Sequence, residues 1–355
     1  MASNNKDPKG EYLFDNNLSD LDTLLPPSSF TQKKDALKKY VSMPNFSGKL
    51  LLMFLGWYGL NALYVVENKV ILNAVPLPWT LSSLQLTVGW MFAALYWGTG
   101  LRAKPSFKSK GVFFKVFVPQ GLCHLFVHLG AVVSMGIGAV SFTHIIKALE
   151  PLVTAVFSLI FLREVYNVFA YMSLVPVVLG VAMASYKDVS FSWPAFWFAM
   201  MSNAGSSVRA IFAKMTMKNK NELGKNLDAS NIYMVLTLVA SVGSMALAYV
   251  TESKNWVPYW VNGTAKMTPK DKQVFLLRAF GSCVCYFLCN DFAFMCLGEI
   301  NQLSHAIANT LKRIVLITTA VFKFNYKVTK RGVLGIAIAL AGAFFYSILK
   351  VYTIL

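Results

Sequence analysis

Lys147, Lys312 and Arg313 are cations set inside long apolar runs, Lys147 in SFTHIIKALEPLVTAVFSLIFL (141–162) and the other two in SHAIANTLKRIVLITTAVF (304–322). A charged side chain at the centre of hydrocarbon costs at least about 2.5 kcal/mol, so such groups face a bundle interior or a watery cavity and mark a ligand path. The 312–313 doublet lies deep in its run, beyond easy snorkelling, with no acidic residue within a turn of it. Three converging cations repel one another in a low dielectric unless an anion sits between them. The required charge of about minus two fits a phosphate monoester. A guanidinium holds two phosphate oxygens in a fork, and a lysine adds a compact, movable charge.

Each candidate also has a plainer reading. Lys147 and Glu150 are three residues apart, a spacing that permits a local ion pair. Arg209, in NAGSSVRAIFAK (203–214), lies nearer the end of its run, where snorkelling competes with a site role. His128, His144 and His305 each suit either a satisfied interior imidazole or a ligand contact. Lys69 closes its run beside Glu67 in VVENKVIL (65–72) and reads as interfacial. Cys123, Cys283, Cys285, Cys289 and Cys296 lie in apolar segments with no zinc-type or disulfide spacing and read as packing residues. No metal or cofactor is expected.

The elements that carry these residues must be membrane helices. Over 355 residues, 56% hydrophobic and 14% charged content departs far from a soluble average. The net charge of +17 is scattered between apolar runs, which points to basic loops against anionic lipid and away from nucleic acid. Windows of about 20 apolar residues fall near 48–72, 78–99, 112–135, 139–162, 166–185, 192–214, 230–251, 274–297, 300–324 and 332–352. They predict an all-α membrane protein with ten transmembrane helices. An even count puts both termini on one side, and the Lys and Arg of segments 33–39, 102–110 and 214–225 predict that this side is cytosolic. Residues 1–45 read as a polar, partly disordered cytosolic tail, too acidic for an ordinary transit peptide and without a signal-peptide core. Asp20 to Leu25 has the form of an acidic dileucine sorting signal, and Asn262-Gly263-Thr264 that of a glycosylation acceptor; both patterns are short enough to arise by chance.

An internal echo orders the runs. TAVF occurs at 154–157 and at 319–322, and the same offset carries Lys147 onto Lys312. Ten spans then divide into halves 46–187 and 188–355 of five each. An odd number per half inserts the second half from the opposite face, making an inverted pair whose equivalent residues approach near the midplane.

AVSFTHIIKALEP (139–151) and LSHAIANTLKRIVLI (303–317), supported by ENKVILNAVPLPW (67–79) and GLCHLFVHLGAV (121–132), resemble the plastid phosphate translocators of the triose-phosphate/phosphate type, within the drug/metabolite transporter superfamily. The likeness runs from about residue 45 to the end. It implies two inverted five-helix repeats and alternating-access exchange of inorganic phosphate for phosphorylated C3 metabolites such as triose phosphate, 3-phosphoglycerate or phosphoenolpyruvate. The membrane would be of plastid type, a plastid inner envelope or an apicoplast membrane. The resemblance assigns phosphate to Lys147, Lys312 and Arg313, and the organic end to His128 and Arg209. Two departures stand out: Ala131 where a hydroxyl residue is usual, and Cys289 in CNDF where a tyrosine is usual. Tyr286, one turn earlier, offers a replacement hydroxyl. Partners are then phosphate, C3 phosphoesters and the bilayer, with no obligate protein partner indicated. A nucleotide-sugar or other phosphometabolite carrier is the nearest alternative. A membrane-embedded phosphatase or phosphotransferase would need a convergent Asp, His and Cys set that the sequence does not display.

Overall fold

The computed structural model describes residues 48–354 except 164, 186–190, 219, 301 and 327. The expected tail over 1–45 and its dileucine-like stretch lie outside the described residues. The main α-helices are α1 Gly48–Ala74, α2 Pro78–Gly98, α3 Val118–Ile137, α4 Val140–Lys147, α5 Glu150–Phe157, α6 Val168–Met172, α7 Leu174–Ser185, α8 Trp193–Lys218, α9 Ala229–Glu252, α10 Trp256–Thr264, α11 Pro269–Glu299, α12 Gln302–Phe324 and α13 Lys330–Ile354. Strand is confined, among the described residues, to a two-residue antiparallel ribbon of β1 Ser106–Phe107 on β2 Gly224–Lys225.

Helix dominates because hydrocarbon offers no water to unpaired backbone groups, and a helix satisfies them within one segment. Side chains are sorted for the same solvent. Asn68, Gln85, Gln120 and Asn203 are fully buried, whereas Leu52 and Val250 are 68% and 79% exposed. Among the described residues, seven stretches are long and apolar enough to cross a membrane: Gly48–Ala74, Lys110–Ile137, Val140–Phe161, Val168–Ser185, Ala229–Thr264, Pro269–Glu299 and Lys330–Leu349. The protein is a multi-pass, all-helical membrane protein. Helices α2, α8 and α12 fall short of that apolarity, and each is rich in polar residues: Ser82, Ser83 and Gln85 on α2, Ser202, Asn203, Ser206 and Arg209 on α8, Asn309, Lys312 and Arg313 on α12.

The expected span 139–162 is present as Val140–Phe161, but its helix is interrupted between α4 and α5. Pro151 has no N–H to give to the carbonyl of Lys147, four residues back, and its ring crowds that turn. Ala148 and Leu149 instead bond tightly to Ile145 and Ile146, each at 3.0 Å. In α12, which carries the second TAVF, the same sequence offset places Leu316 opposite Pro151, and that helix runs unbroken. At the other end of the chain, α11 starts five residues ahead of the expected 274, because Thr268 and Asp271 form a reciprocal capping box with Pro269 in the first turn.

Lys69 is not interfacial. It is buried, and its ammonium donates to the carbonyls of Met135 (2.9 Å) and Gly138 (2.8 Å) at the end of α3, which have no intrahelical partners of their own. Glu67 pairs with Arg278 of α11 instead, at 2.6 Å. The glycines of LGIAIALAGAFF act as packing devices, as their spacing suggests. A Cβ on Gly335 would stand 2.6 Å from the backbone nitrogen of Ala184, and one on the facing Gly180 2.4 Å from that of Ala339, so α7 and α13 touch backbone to backbone. All five cysteines are free. The Asn262 acceptor motif lies in α10, where the Thr264 hydroxyl is buried and bonded to the Trp260 carbonyl at 2.8 Å.

Candidate functional site

A cavity of about 150 Å³ opens between α1, α3, α4, α5, α8, α11 and α12. This is small beside the roughly 300–1,000 Å³ of pockets for drug-sized ligands. Lys147, Lys312, Arg313, His128, Arg209 and Tyr286 all line it. The six residues singled out in the sequence therefore share one wall-to-wall space, although they come from five helices.

Lys147 ends α4, immediately before the proline break, and its ammonium donates to Ser202 Oγ at 2.7 Å. Ser202 in turn donates its hydroxyl hydrogen bond to the carbonyl of Val127 at 2.6 Å. Lys147 therefore does not pair with Glu150, its neighbour in sequence. Glu150 pairs with Arg313, through Nη2, and its second oxygen accepts from Ser206 Oγ. Arg313 Nη1 donates to the carbonyl of Lys147. That carbonyl is the one Pro151 leaves without a helical partner, so the guanidinium closes the broken turn and binds the carboxylate beside it. Lys312 Nζ lies 5.2 Å from the ring centroid of Trp57, within cation–π range. Trp57 is in turn stacked on His305 at 5.0 Å, which removes His305 from the cavity wall.

Arg209 donates to His124 Nδ1 at 2.9 Å. A guanidinium has no lone pair to accept with, so Nδ1 is the unprotonated nitrogen and Nε2 carries the hydrogen. Nε2 then points to Thr237 Oγ1 (3.4 Å) and Tyr286 Oη (3.5 Å). His128 and Tyr286 lie ring on ring at 3.8 Å, with Tyr64 5.4 Å from Tyr286. Ala131 faces the cavity, whereas Cys289 is buried and turns its thiol to the Tyr286 carbonyl at 3.2 Å. Nε2 of His128 and of His144 are buried without a hydrogen-bond partner. Four cations thus meet one carboxylate among the described residues that line this space, and of those four only Arg313 is paired with it.

Sequence reasoning missed His124, Asn61, Tyr64, Ser206, Asn290 and Asn309, which also line the cavity. A helical-spacing signal was available. His124 is four residues before His128, Ser206 three before Arg209, Asn309 three before Lys312 and Asn290 four after Tyr286, so each shares a face with a recognised residue.

Residues 48–347 match the Triose-phosphate Transporter family. The chain belongs to that family. Membership makes it a transporter and not an enzyme. The family member is 33% identical over 300 residues to glucose-6-phosphate/phosphate translocator 2, chloroplastic, of Arabidopsis thaliana, covering 84% of this chain and 74% of the relative. It is 32% identical over 323 residues to the triose phosphate/phosphate translocator, chloroplastic, of Spinacia oleracea, covering 91% and 76%. Phosphoenolpyruvate/phosphate translocator 1, chloroplastic, of Oryza sativa subsp. japonica is 33% identical over 294 residues, covering 83% and 70%. A solved crystal structure shares the fold at a TM-score of 0.52 and 14% identity, over 86% of this chain and 98% of its own.

Proposed function

We propose that this transporter exchanges inorganic phosphate for phosphorylated C3 metabolites by alternating access. The observation that carries the reading is the charge balance of the cavity: Lys147, Arg209, Lys312 and Arg313 against Glu150, the one acid among the described residues that line it. An excess of buried positive charge is costly unless an anion is bound, and a phosphate group supplies the missing charge. The phosphate bridges Lys147 to Lys312 and Arg313, while His128, Tyr286 and Arg209 read the organic end. The small cavity favours a C3 compound over a hexose phosphate. Ten helices, in inverted halves 46–187 and 188–355 behind the 1–45 tail, rock about this site in a plastid-type membrane with both termini on the cytosolic side. Relatives named for triose phosphate, phosphoenolpyruvate and glucose 6-phosphate support phosphoester exchange as the shared chemistry.

In this reading the empty site cannot occlude cheaply, so exchange is obligatory. Proteoliposomes should take up labelled phosphate only when phosphate or a phosphoester is inside, and rapid uptake into empty vesicles would overturn the model. Triose phosphate, 3-phosphoglycerate and phosphoenolpyruvate should compete with labelled phosphate better than glucose 6-phosphate or nucleotide sugars. Lys312→Ala and Arg313→Ala should each abolish exchange in protein that still folds; undiminished exchange would make the doublet structural.

A further inference from the structure

We propose that a groove between α2, α3 and α9, away from the transport cavity, binds one anionic phospholipid. Its volume is about 530 Å³, and its wall is almost wholly apolar, with Trp90 and Trp97 on α2, Leu122 on α3 and Val242 on α9. These residues belong to a membrane-embedded bundle, so the groove is filled from the bilayer. A smooth helical surface needs only fluid lipid against it, but a concave slot of this size holds one chain in place. Seven residues separate Trp90 from Trp97, so the slot follows α2 for about 10 Å.

Charge at one end selects the occupant. Lys104 closes the groove there and is exposed. Lys108, Lys110, Lys115 and Lys225 are exposed around the same loops, where Glu222 and Asp228 are the nearby acids in sequence. Asp228 is engaged in capping α9, its carboxylate accepting from the Asn231 backbone at 2.9 Å. The segment bearing Lys104 is held in position. Asn226 donates to the Lys104 carbonyl at 3.0 Å, Asn231 to the Ala103 carbonyl at 3.0 Å, and the β1–β2 ribbon pairs Ser106 with Lys225. Gly224 permits that pairing, since a Cβ there would meet the Ser106 carbonyl oxygen at 1.9 Å. Trp97, whose indole donates to Asn231 at 3.0 Å, ties the groove wall to the same loop. An acyl chain lies along the tryptophans, and the headgroup phosphate meets Lys104.

The test uses purified full-length protein, delipidated by detergent exchange and titrated with phosphatidylglycerol or phosphatidylcholine of matched chains, counting adducts by native mass spectrometry. The first phosphatidylglycerol should bind about fivefold or more tightly than phosphatidylcholine, as one lysine at an anionic headgroup warrants. Lys104→Glu should erase that preference, and Val242→Phe, at a position 62% exposed, should weaken both lipids by filling the slot. Excess inorganic phosphate should leave the adduct in place. Equal binding of the two lipids by the unaltered protein, indifference to both substitutions, or displacement by inorganic phosphate would each overturn the proposal. Transport is not the readout, so either result leaves the proposed exchange untouched.

Discussion

Arg313 is shared between a carboxylate and a carbonyl, and both partners come from the broken helix that also supplies Lys147. A bound phosphate in the same cavity would compete with Glu150 for that guanidinium. Glu150→Gln keeps an acceptor for Ser206 and removes the competing charge. The half-saturating phosphate concentration should then fall about three- to tenfold, up to about 1.4 kcal/mol, while turnover slows because the site holds its anion longer. A half-saturation that rises instead, measured in the exchange assay, would remove Glu150 from this role. Lys147, Lys312 and Arg313 were legible in the sequence because a cation in an apolar run is expensive wherever it is placed. The partner of Glu150 was not legible, since the local lysine three residues away was the obvious candidate and the true one lies 163 residues along the chain.

At the scale of elements, the break between α4 and α5 is what turns the Lys147 carbonyl toward Arg313. Pro151→Ala would restore an N–H to that carbonyl and let the helix run straight. Thermal stability should change little, since Pro151 stands in the first turn of α5, where a proline is tolerated. Exchange should nevertheless fall about tenfold or more, as Arg313 loses a fixed partner and the two walls of the cavity shift apart; an order of magnitude in rate corresponds to only about 1.4 kcal/mol. Unchanged exchange in proteoliposomes would show that the break serves only packing. The sequence located this span and showed its proline, but read it as continuous because hydropathy is blind to a single missing donor. Lys69 was misread for a related reason. Its nearest acid in sequence, Glu67, is drawn to Arg278, and the carbonyls it caps belong to another helix.

For the whole molecule, a site with surplus positive charge links substrate to stability. A ligand that binds only the folded state at one hundred times its dissociation constant stabilises it by about 2.7 kcal/mol. Melting of the detergent-solubilised protein should therefore move upward with added phosphate or a C3 phosphoester, and should stay fixed in Lys312→Ala; an equal shift in that variant would place the ligand elsewhere. By itself, the sequence determined which segments are buried in lipid and which cations lie among them, because transfer of charge and apolar surface into hydrocarbon depends little on fold. It also carried the motifs that match the family. Only the tertiary structure decided that His124, Tyr64 and Asn290 face the same space as Lys147, that Cys289 turns away, and that Glu150 answers Arg313. Those relations depend on how each helix is rotated about its axis, and rotation is set by contacts between helices, down to the backbone touching of Gly180 and Gly335 with their neighbours.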